Sequence, residues 1–419
     1  MTHDARKTIE GIFRIEWPKL VAGLARLVRD VGVAEELAQD ALVVALEQWP
    51  ESGVPDKPGA WLTTTAKNRA LDALRRDKTL ARKLGELGAR EGDGAAGAAA
   101  MEARADESVD DDLLRLVFVC CHPVLSSDAR VALTLRLLGG LATDEIARAF
   151  LVPEATIAQR IVRAKRTLAD AGVPFEVPRR EELEERLASV LEVIYLIFNE
   201  GYSATAGDDW VRPALCEDAL RLGRVLEALA PGEAEAHGLA ALMEIQSSRL
   251  GARVGPSGEP ILLLDQNRAR WDGVLVARGL AALARAEALG GRGPYALQAA
   301  IAACHARART AQQTDWPRIA SLYGELARVA PSPVVELNRA IAVARADGPG
   351  AGLAILDGLA SHPSLASYHL LPAARGDLLA KLGRNGEARA ELERAASLTR
   401  NERERAMLLE RAARCGPRE

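Results

Sequence analysis

The sequence predicts an all-α protein, and three observations carry the expectation. Alanine, leucine, arginine and glutamate, all strong helix formers, dominate the 419 residues. Aromatic residues make up only 4 %, and β-branched alternation is scarce. Apolar residues recur at helical spacing between clear turn signals. The length points to roughly two to four domains. The five cysteines are scattered without paired spacing, no charged-then-apolar leader opens the chain, and no run of about 18 apolar residues occurs. A reduced, soluble, cytoplasmic protein is therefore expected.

Residues 1–83 form the first block. In VAEELAQDALVVALEQW, Val33, Leu37, Ala41, Val44 and Leu46 recur near the helical period. The proline- and glycine-rich PESGVPDKPG reads as a loop from Pro50 to Gly59. Pro58 stands where a helix accepts its first residue, ahead of AWLTTTAKNRALDALRR. That helix concentrates Lys67, Asn68, Arg69, Arg75, Arg76 and Lys78, with Asp72 on the Asn68 face. Trp61, Leu62, Thr65, Leu71 and Leu74 make its inner stripe, and the run Thr63 to Thr65 points to polar contacts at a surface.

Residues 84–108 hold almost no large apolar side chains. They cannot bury enough to offset the entropy of ordering, so they read as an acidic flexible linker. An alanine-rich surface helix is the alternative over the later half.

Residues 109–176 contain a helix-turn-helix pattern. Thr143 is placed to cap a helix with Asp144 and Glu145 in its first turn, and Ile146, Ala147 and Phe150 form its inner face. After the turn LVP, Pro153 takes the first helical position beside Glu154. Ile157, Ile161, Ala164 and Leu168 then form one buried stripe, and Gln159, Arg160, Arg163 and Arg166 project away from it. Thr156 lies near the helix start, the end that contacts bases in such motifs. Phosphates bind a cationic face with salt-dependent affinity, and Arg and Gln can read base edges. Taken alone, the segment also fits a solvated basic helix.

Residues 177–419 read as a helical array broken by LAPGEAEA, GGRGP, APSP, DGPGAG and SHPS. GPGAGLAILDGLA and GRNGEARAELERA align at an offset of about 35 residues, close to the tetratricopeptide period. An irregular helical domain with small residues at helix crossings is the alternative.

The net charge of −4 hides an uneven distribution. Residues 84–112 alone carry 9 acidic and 2 basic residues, whereas the rest of residues 1–175 carries 22 basic and 17 acidic. Two basic modules thus flank an acidic tether, an arrangement suited to two DNA contacts on one chain.

With these stretches in view, residues 1–175 resemble a bacterial extracytoplasmic-function (ECF) sigma factor, the promoter-recognition subunit of RNA polymerase. AEELAQDALVVALEQW and AWLTTTAKNRALDALRR resemble its region 2, and LATDEIARAFLVPEATIAQRIVRAKRTL resembles its region 4. Stretches such as VIYLIFNEGYSATAG and YHLLPAARGDLLAKLGR resemble the tetratricopeptide-like extension of one ECF group. The resemblance implies region 2 at 1–83, a linker at 84–108, region 4 at 109–176 and a TPR-like all-helical domain at 177–419. It implies that Glu35, Glu36, Leu37, Gln39 and Asp40 bind core polymerase. Trp61, Lys67, Asn68, Arg69, Asp72, Arg75 and Arg76 would serve the −10 element, and the loop from Pro50 to Gly59 would capture a flipped base. Glu154, Thr156, Gln159, Arg160, Arg163, Lys165 and Arg166 would serve the −35 element. The implied partners are core RNA polymerase, at its β′ clamp and β flap, and promoter DNA, with the C-terminal domain contacting the sigma domains and no membrane involved. No cofactor and no catalysis are implied. Val33 stands where many relatives carry an acidic cap, and Leu151 where the turn often has glycine.

Two other function classes stay open on sequence grounds: a one-component regulator with a helical sensor domain, and a repeat scaffold with incidental basic helices. Cys120, Cys121 and His122 suit a zinc site poorly, because adjacent cysteines lack a second ligand pair at normal spacing. Asn199, Glu200, Gly201 and Tyr202 read as a polar helix end at an interdomain contact rather than a catalytic pocket. His237, His305, His362 and His369 read as surface or satisfied core residues. Trp210, Trp271 and Trp316 read as anchors of the array or of its contact with the DNA-binding half, and Asp208, Asp209, Asp265 and Asp272 as acids that pair in that contact or are solvated.

Overall fold

The computed structural model describes residues 3–70, 109–150, 152–203, 211–256 and 258–415. The chain divides into two compact units, Met1–Ile194 and Tyr195–Glu419. The fold is all-α as the composition predicts. Among the described residues β structure is limited to isolated bridges, one of them between Val254 and Pro260.

The first unit contains α1 (His3–Val28), α2 (Val31–Ser52), α3 (58–70 as far as described), α4 (Val109–Cys120), α5 (Ser127–Leu137), α6 (Thr143–Phe150) and α7 (Glu154–Asp170). Helix α8 (Arg180–Tyr202) starts in it. Arg29, at φ +58°, breaks the chain between α1 and α2. Asp30 then caps α2, accepting from the backbone N–H of Gly32 at 2.7 Å and of Val33 at 3.0 Å. The acidic cap sought at Val33 therefore stands three residues earlier.

The loop expected from Pro50 begins later. Helix α2 continues through Pro50 to Ser52 and stops at Gly53, whose φ of +82° only glycine adopts at low cost. Its N–H bonds the Trp49 carbonyl at 3.0 Å. Proline in a last turn removes one hydrogen bond but does not force the helix to stop there. Pro58 does open α3, as its sequence context predicts.

The first and third sequence blocks share one core. Trp17 is 1 % exposed, and its indole Nε1 donates to the Arg136 carbonyl at 3.0 Å. Gly140, at φ +69°, lies against the same indole. Arg26 on α1 and Asp112 on α4 form a buried ion pair at 2.9 Å. The start of α8 belongs to this core too. Arg186 donates to the Phe118 carbonyl at 2.7 Å, Ser189 to the Cys121 carbonyl at 2.6 Å, and Arg130 pairs with Glu192 at 3.1 Å. The first unit consequently runs past residue 176, where the sequence blocks divide, to Ile194.

The second unit takes the end of α8 and continues through α9 (Pro213–Leu229), α10 (Ala234–Ser247), α11 (Gly273–Ala288), α12 (Pro294–Arg307), α13 (Trp316–Val329) and α14 (Pro333–Ala346). It closes with α15 (Pro349–Leu359), α16 (Leu370–Lys381), α17 (Asn385–Leu398) and α18 (Glu402–Arg414). Small residues let these helices cross closely. A Cβ on Gly238 would lie 2.6 Å from the Ala296 backbone nitrogen, and one on Gly352 would lie 2.5 Å from the Ala340 carbonyl oxygen. Gly352 and Ala388, from the two aligned stretches, are both buried.

Candidate nucleic-acid interface

The turn between α6 and α7 is closed by a hydrogen bond from the Val152 N–H to the Ala147 carbonyl at 3.1 Å. Glu145 accepts from the Ala142 N–H at 2.7 Å and so fastens the start of α6, a role the sequence assigned to Thr143. Pro153 caps α7, and Glu154 is its first residue. Ile157, Ile161, Ala164 and Leu168 are buried, none more than 5 % exposed, in the stripe that their spacing predicts. Leu151 lies outside the described residues.

The outer face of α7 is polar. Glu154, Gln159, Arg163 and Arg166 are exposed, and Thr156 is half-buried. Arg160 pairs with Asp128 at 3.0 Å and Arg166 with Asp170 at 3.4 Å, both at the surface, where such pairs contribute little. Arg163 has no ion-pair partner among the described residues. Lys165 differs from the other cations, because its ammonium pairs with Glu35 of α2.

That pairing divides the residues assigned to polymerase binding. Glu36 and Asp40 are exposed and Gln39 is half-buried, whereas Glu35 and Leu37 face into the unit. The Glu35 carboxylate accepts from Arg136 Nε at 2.6 Å and from Gln39 Nε2 at 2.8 Å, besides its pair with Lys165. Sequence reasoning missed Arg136 and the whole cluster.

Of the residues assigned to the −10 element, Trp61 and Lys67 are half-buried and Asn68 and Arg69 are exposed. Trp61 packs edge-to-face on Trp49 with ring centres 5.3 Å apart, and Arg69 pairs with Asp40 at 3.0 Å. Asp72, Arg75 and Arg76 lie outside the described residues, as do Lys78, Leu71, Leu74 and the stretch assigned as the linker. Two hydroxyls of the threonine run bond within the helix, although Thr64 is exposed. Thr63 and Thr64 donate to the Gly59 and Ala60 carbonyls at 2.8 and 2.9 Å, one turn back along the helix.

Comparison with known proteins agrees with this geometry. Residues 13–79 match Sigma-70 region 2, and residues 115–168 match Sigma-70, region 4. Over 149 residues the chain is 30 % identical to the ECF RNA polymerase sigma factor SigK of Mycobacterium ulcerans (strain Agy99), covering 35 % of this chain and 75 % of that one. The chain belongs to the ECF sigma-factor family.

The SigK sigma factor of Mycobacterium sp. (strain KMS) is 29 % identical over 145 residues, 33 % of this ECF sigma factor and 69 % of its own length. An uncharacterized protein of Rhizobium meliloti (strain 1021) is 43 % identical over 397 residues, 93 % of this chain and 92 % of that one, so it shares the helical extension. Within that extension, residues 186–287 match a family of unknown function (DUF6596). No solved structure matches the chain.

An ECF sigma factor acts in transcription initiation and belongs to a non-catalytic family. Among the described residues, no helix is long and apolar enough to cross a membrane. Cys120, Cys121 and Cys216 are buried in this sigma factor, whereas Cys304 and Cys415 are half-buried. Burial pushes Cys121 up to about 11 and Cys216 up to about 12, and raises Cys120 as well. These three thiols are expected to react with a disulfide reagent at pH 8 at least about tenfold more slowly than free cysteine. Counting thiols released with time in native and unfolded protein checks this. Among the histidines, His237 is satisfied by Glu227 and the Pro231 carbonyl, both at 2.9 Å. His305 departs from the expectation, since it is buried and its Nδ1 has no hydrogen-bond partner among the described residues.

Proposed function

We propose that this ECF sigma factor binds core RNA polymerase through α2, on the β′ clamp, and through residues 109–176, on the β flap. Helix α7 reads the −35 element, and α3 with the loop at 53–57 supports capture of an extruded −10 base. Binding that base offsets a melting cost of about a few kcal/mol. Polymerase makes the phosphodiester bonds, in the cytoplasm. The C-terminal helical unit modulates this activity. The observation that carries the reading is the exposed face of α7, with Arg163 uncommitted beside Gln159, in a chain matching regions 2 and 4 in that order.

The Glu35 cluster supports a resting form in which α2 and α7 cover one another. Docking and −35 binding then require the two helices to part.

The direct test mixes the full chain with sigma-free polymerase at low salt and transcribes a genomic promoter library. Co-migration and a defined set of initiated transcripts are expected, with DNA binding that weakens steeply as salt rises. Absence of both would reject the reading. For the modulatory role, output from the full chain is compared with that of residues 1–194, which keep the first unit intact. Identical output rejects modulation.

Arg163→Ala is expected to weaken −35 binding by about 10- to 100-fold, the range set by loss of a bidentate base contact. Arg160→Ala, whose guanidinium is shared with Asp128, is expected to lose less. Equilibrium binding of the holoenzyme at fixed salt distinguishes the two.

A further inference from the structure

The second unit holds a half-open cavity of about 660 Å³, a size that suits a small organic molecule. Helices α8, α10, α12, α13 and α14 all contribute to its wall. Leu242, Ile301, Leu326 and Val335 supply apolar surface. The hydroxyl-bearing rings of Tyr195, Tyr202 and Tyr323 and the amides of Asn199 and Asn338 supply polar groups. Asn199 and Tyr202, the two ends of the polar motif, thus line a cavity within the second unit.

The charge of this wall is one-sided. Arg249 lines the cavity, and among the described residues no carboxylate does. Arg249 is 8 % exposed, and its hydrogen-bond acceptors, the Tyr202 hydroxyl and the Gln246 side-chain oxygen, are both neutral. Its Nε has no hydrogen-bond partner among the described residues. The guanidinium lies 5.7 Å from the Tyr202 ring centre and 5.6 Å from that of Trp271. Arg268 lies close to the same wall. It donates to the His305 and Ala308 carbonyls and to the Thr314 hydroxyl, again neutral acceptors. Burial and these two arginines hold the His305 imidazole down to about 4, so it stays neutral at physiological pH. Its unpartnered Nδ1 is free to accept or donate according to tautomer. A buried guanidinium without a counter-charge is costly, and an anion entering the chamber would remove that cost.

We propose that this cavity is a receptor site for an amphipathic organic carboxylate. The carboxylate seats at Arg249, and the apolar body lies among Tyr195, Ile301, Tyr323 and Leu326. This goes beyond promoter reading and does not depend on it.

The probe is 8-anilinonaphthalene-1-sulfonate, whose sulfonate stands in for the carboxylate and whose fluorescence rises when its rings leave water. It is titrated into the full chain and then displaced with 4-phenylbutyrate or decanoate, and separately with the neutral amides of both acids. Saturable binding is expected, with displacement by the acids at concentrations at least about tenfold below those of the amides, because about 1.4 kcal/mol of charge pairing corresponds to tenfold. Arg249→Gln is expected to lose probe affinity by at least the same factor. Asn338→Asp, at a half-buried wall position, adds a negative charge and is expected to do the same. Circular dichroism confirms folding, and Asn338→Asp decides the matter if the Arg249 variant does not fold. No saturable binding, equal displacement by acids and amides, or unchanged affinity in Asn338→Asp would each overturn the proposal.

Discussion

Glu35→Gln is expected to destabilise the closed first unit by about 3 kcal/mol, near the lower end for breaking a buried ion pair. The Glu35 side chain is 3 % exposed, whereas Arg136 and Lys165 retain 20 % and 21 %. Removing the carboxylate charge leaves two largely desolvated cations facing a neutral amide. Their partial exposure lets water recover part of the loss, which keeps the estimate low. Glutamine still offers one oxygen to Arg136, so the variant folds. Native-state hydrogen exchange on α2 and α7 in the full chain measures the effect, and unchanged protection would show that the cluster does not hold the helices together. Replacing Glu35, Arg136 and Lys165 together with apolar residues of similar size is expected to return most of the stability, because no buried charge is then left alone.

The same cluster marks how far the sequence could be read. Helix α7 was readable as an element, since Ile157, Ile161, Ala164 and Leu168 keep a single face and only a helix does that. Arg163 and Arg166 fall opposite that face, and they are exposed. Lys165 carries the same charge but stands four residues after Ile161 and three before Leu168, at the edge of the buried stripe. Helical geometry alone separates it from Arg163, and grouping residues by charge concealed the difference. Glu35 repeats the pattern on α2, four residues after Val31 and three before Ala38, both buried. Sequence shows that each residue sits at a helix edge. It does not show that the two edges meet, because that pairing joins residues far apart in the chain.

The cavity of the second unit escaped reading for a related reason. Asn199 and Tyr202 stood out locally as a polar helix end. Their partners Arg249, His305, Tyr323 and Asn338 come from other helices and intervening segments, with no local motif to connect them. Asp30 is a different case. Aspartate just ahead of Val31 is an ordinary N-cap signal, legible from the sequence alone, and it places the cap three residues before Val33.

A disulfide between Gly32→Cys and Lys165→Cys is expected to abolish transcription when oxidised and to release it when reduced. A Cβ placed on Gly32 lies 4.0 Å from the Lys165 Cβ, within the spacing that disulfides adopt. The same Cβ comes 3.0 Å from Asp30 Oδ1, so the cap must give by a few tenths of an ångström. Because Lys165 is lost in both redox states, the reduced protein is the proper reference. It lacks one cation on α7 yet can still open. Oxidation adds a covalent tie across the α2–α7 contact and removes the open form altogether. The expected result is at least about a hundredfold loss of initiated transcripts, since opening must exceed about 3 kcal/mol to suppress activity that far. Burial argues against scrambling with Cys120 or Cys121, which are at most 1 % exposed. Equal transcription from oxidised and reduced protein, with the cross-link confirmed by mass spectrometry, would mean that α2 and α7 work while still joined. Polymerase docking would then use only the exposed Glu36 and Asp40 edge of α2, and the buried Glu35 cluster would be a structural tie rather than a restraint on initiation.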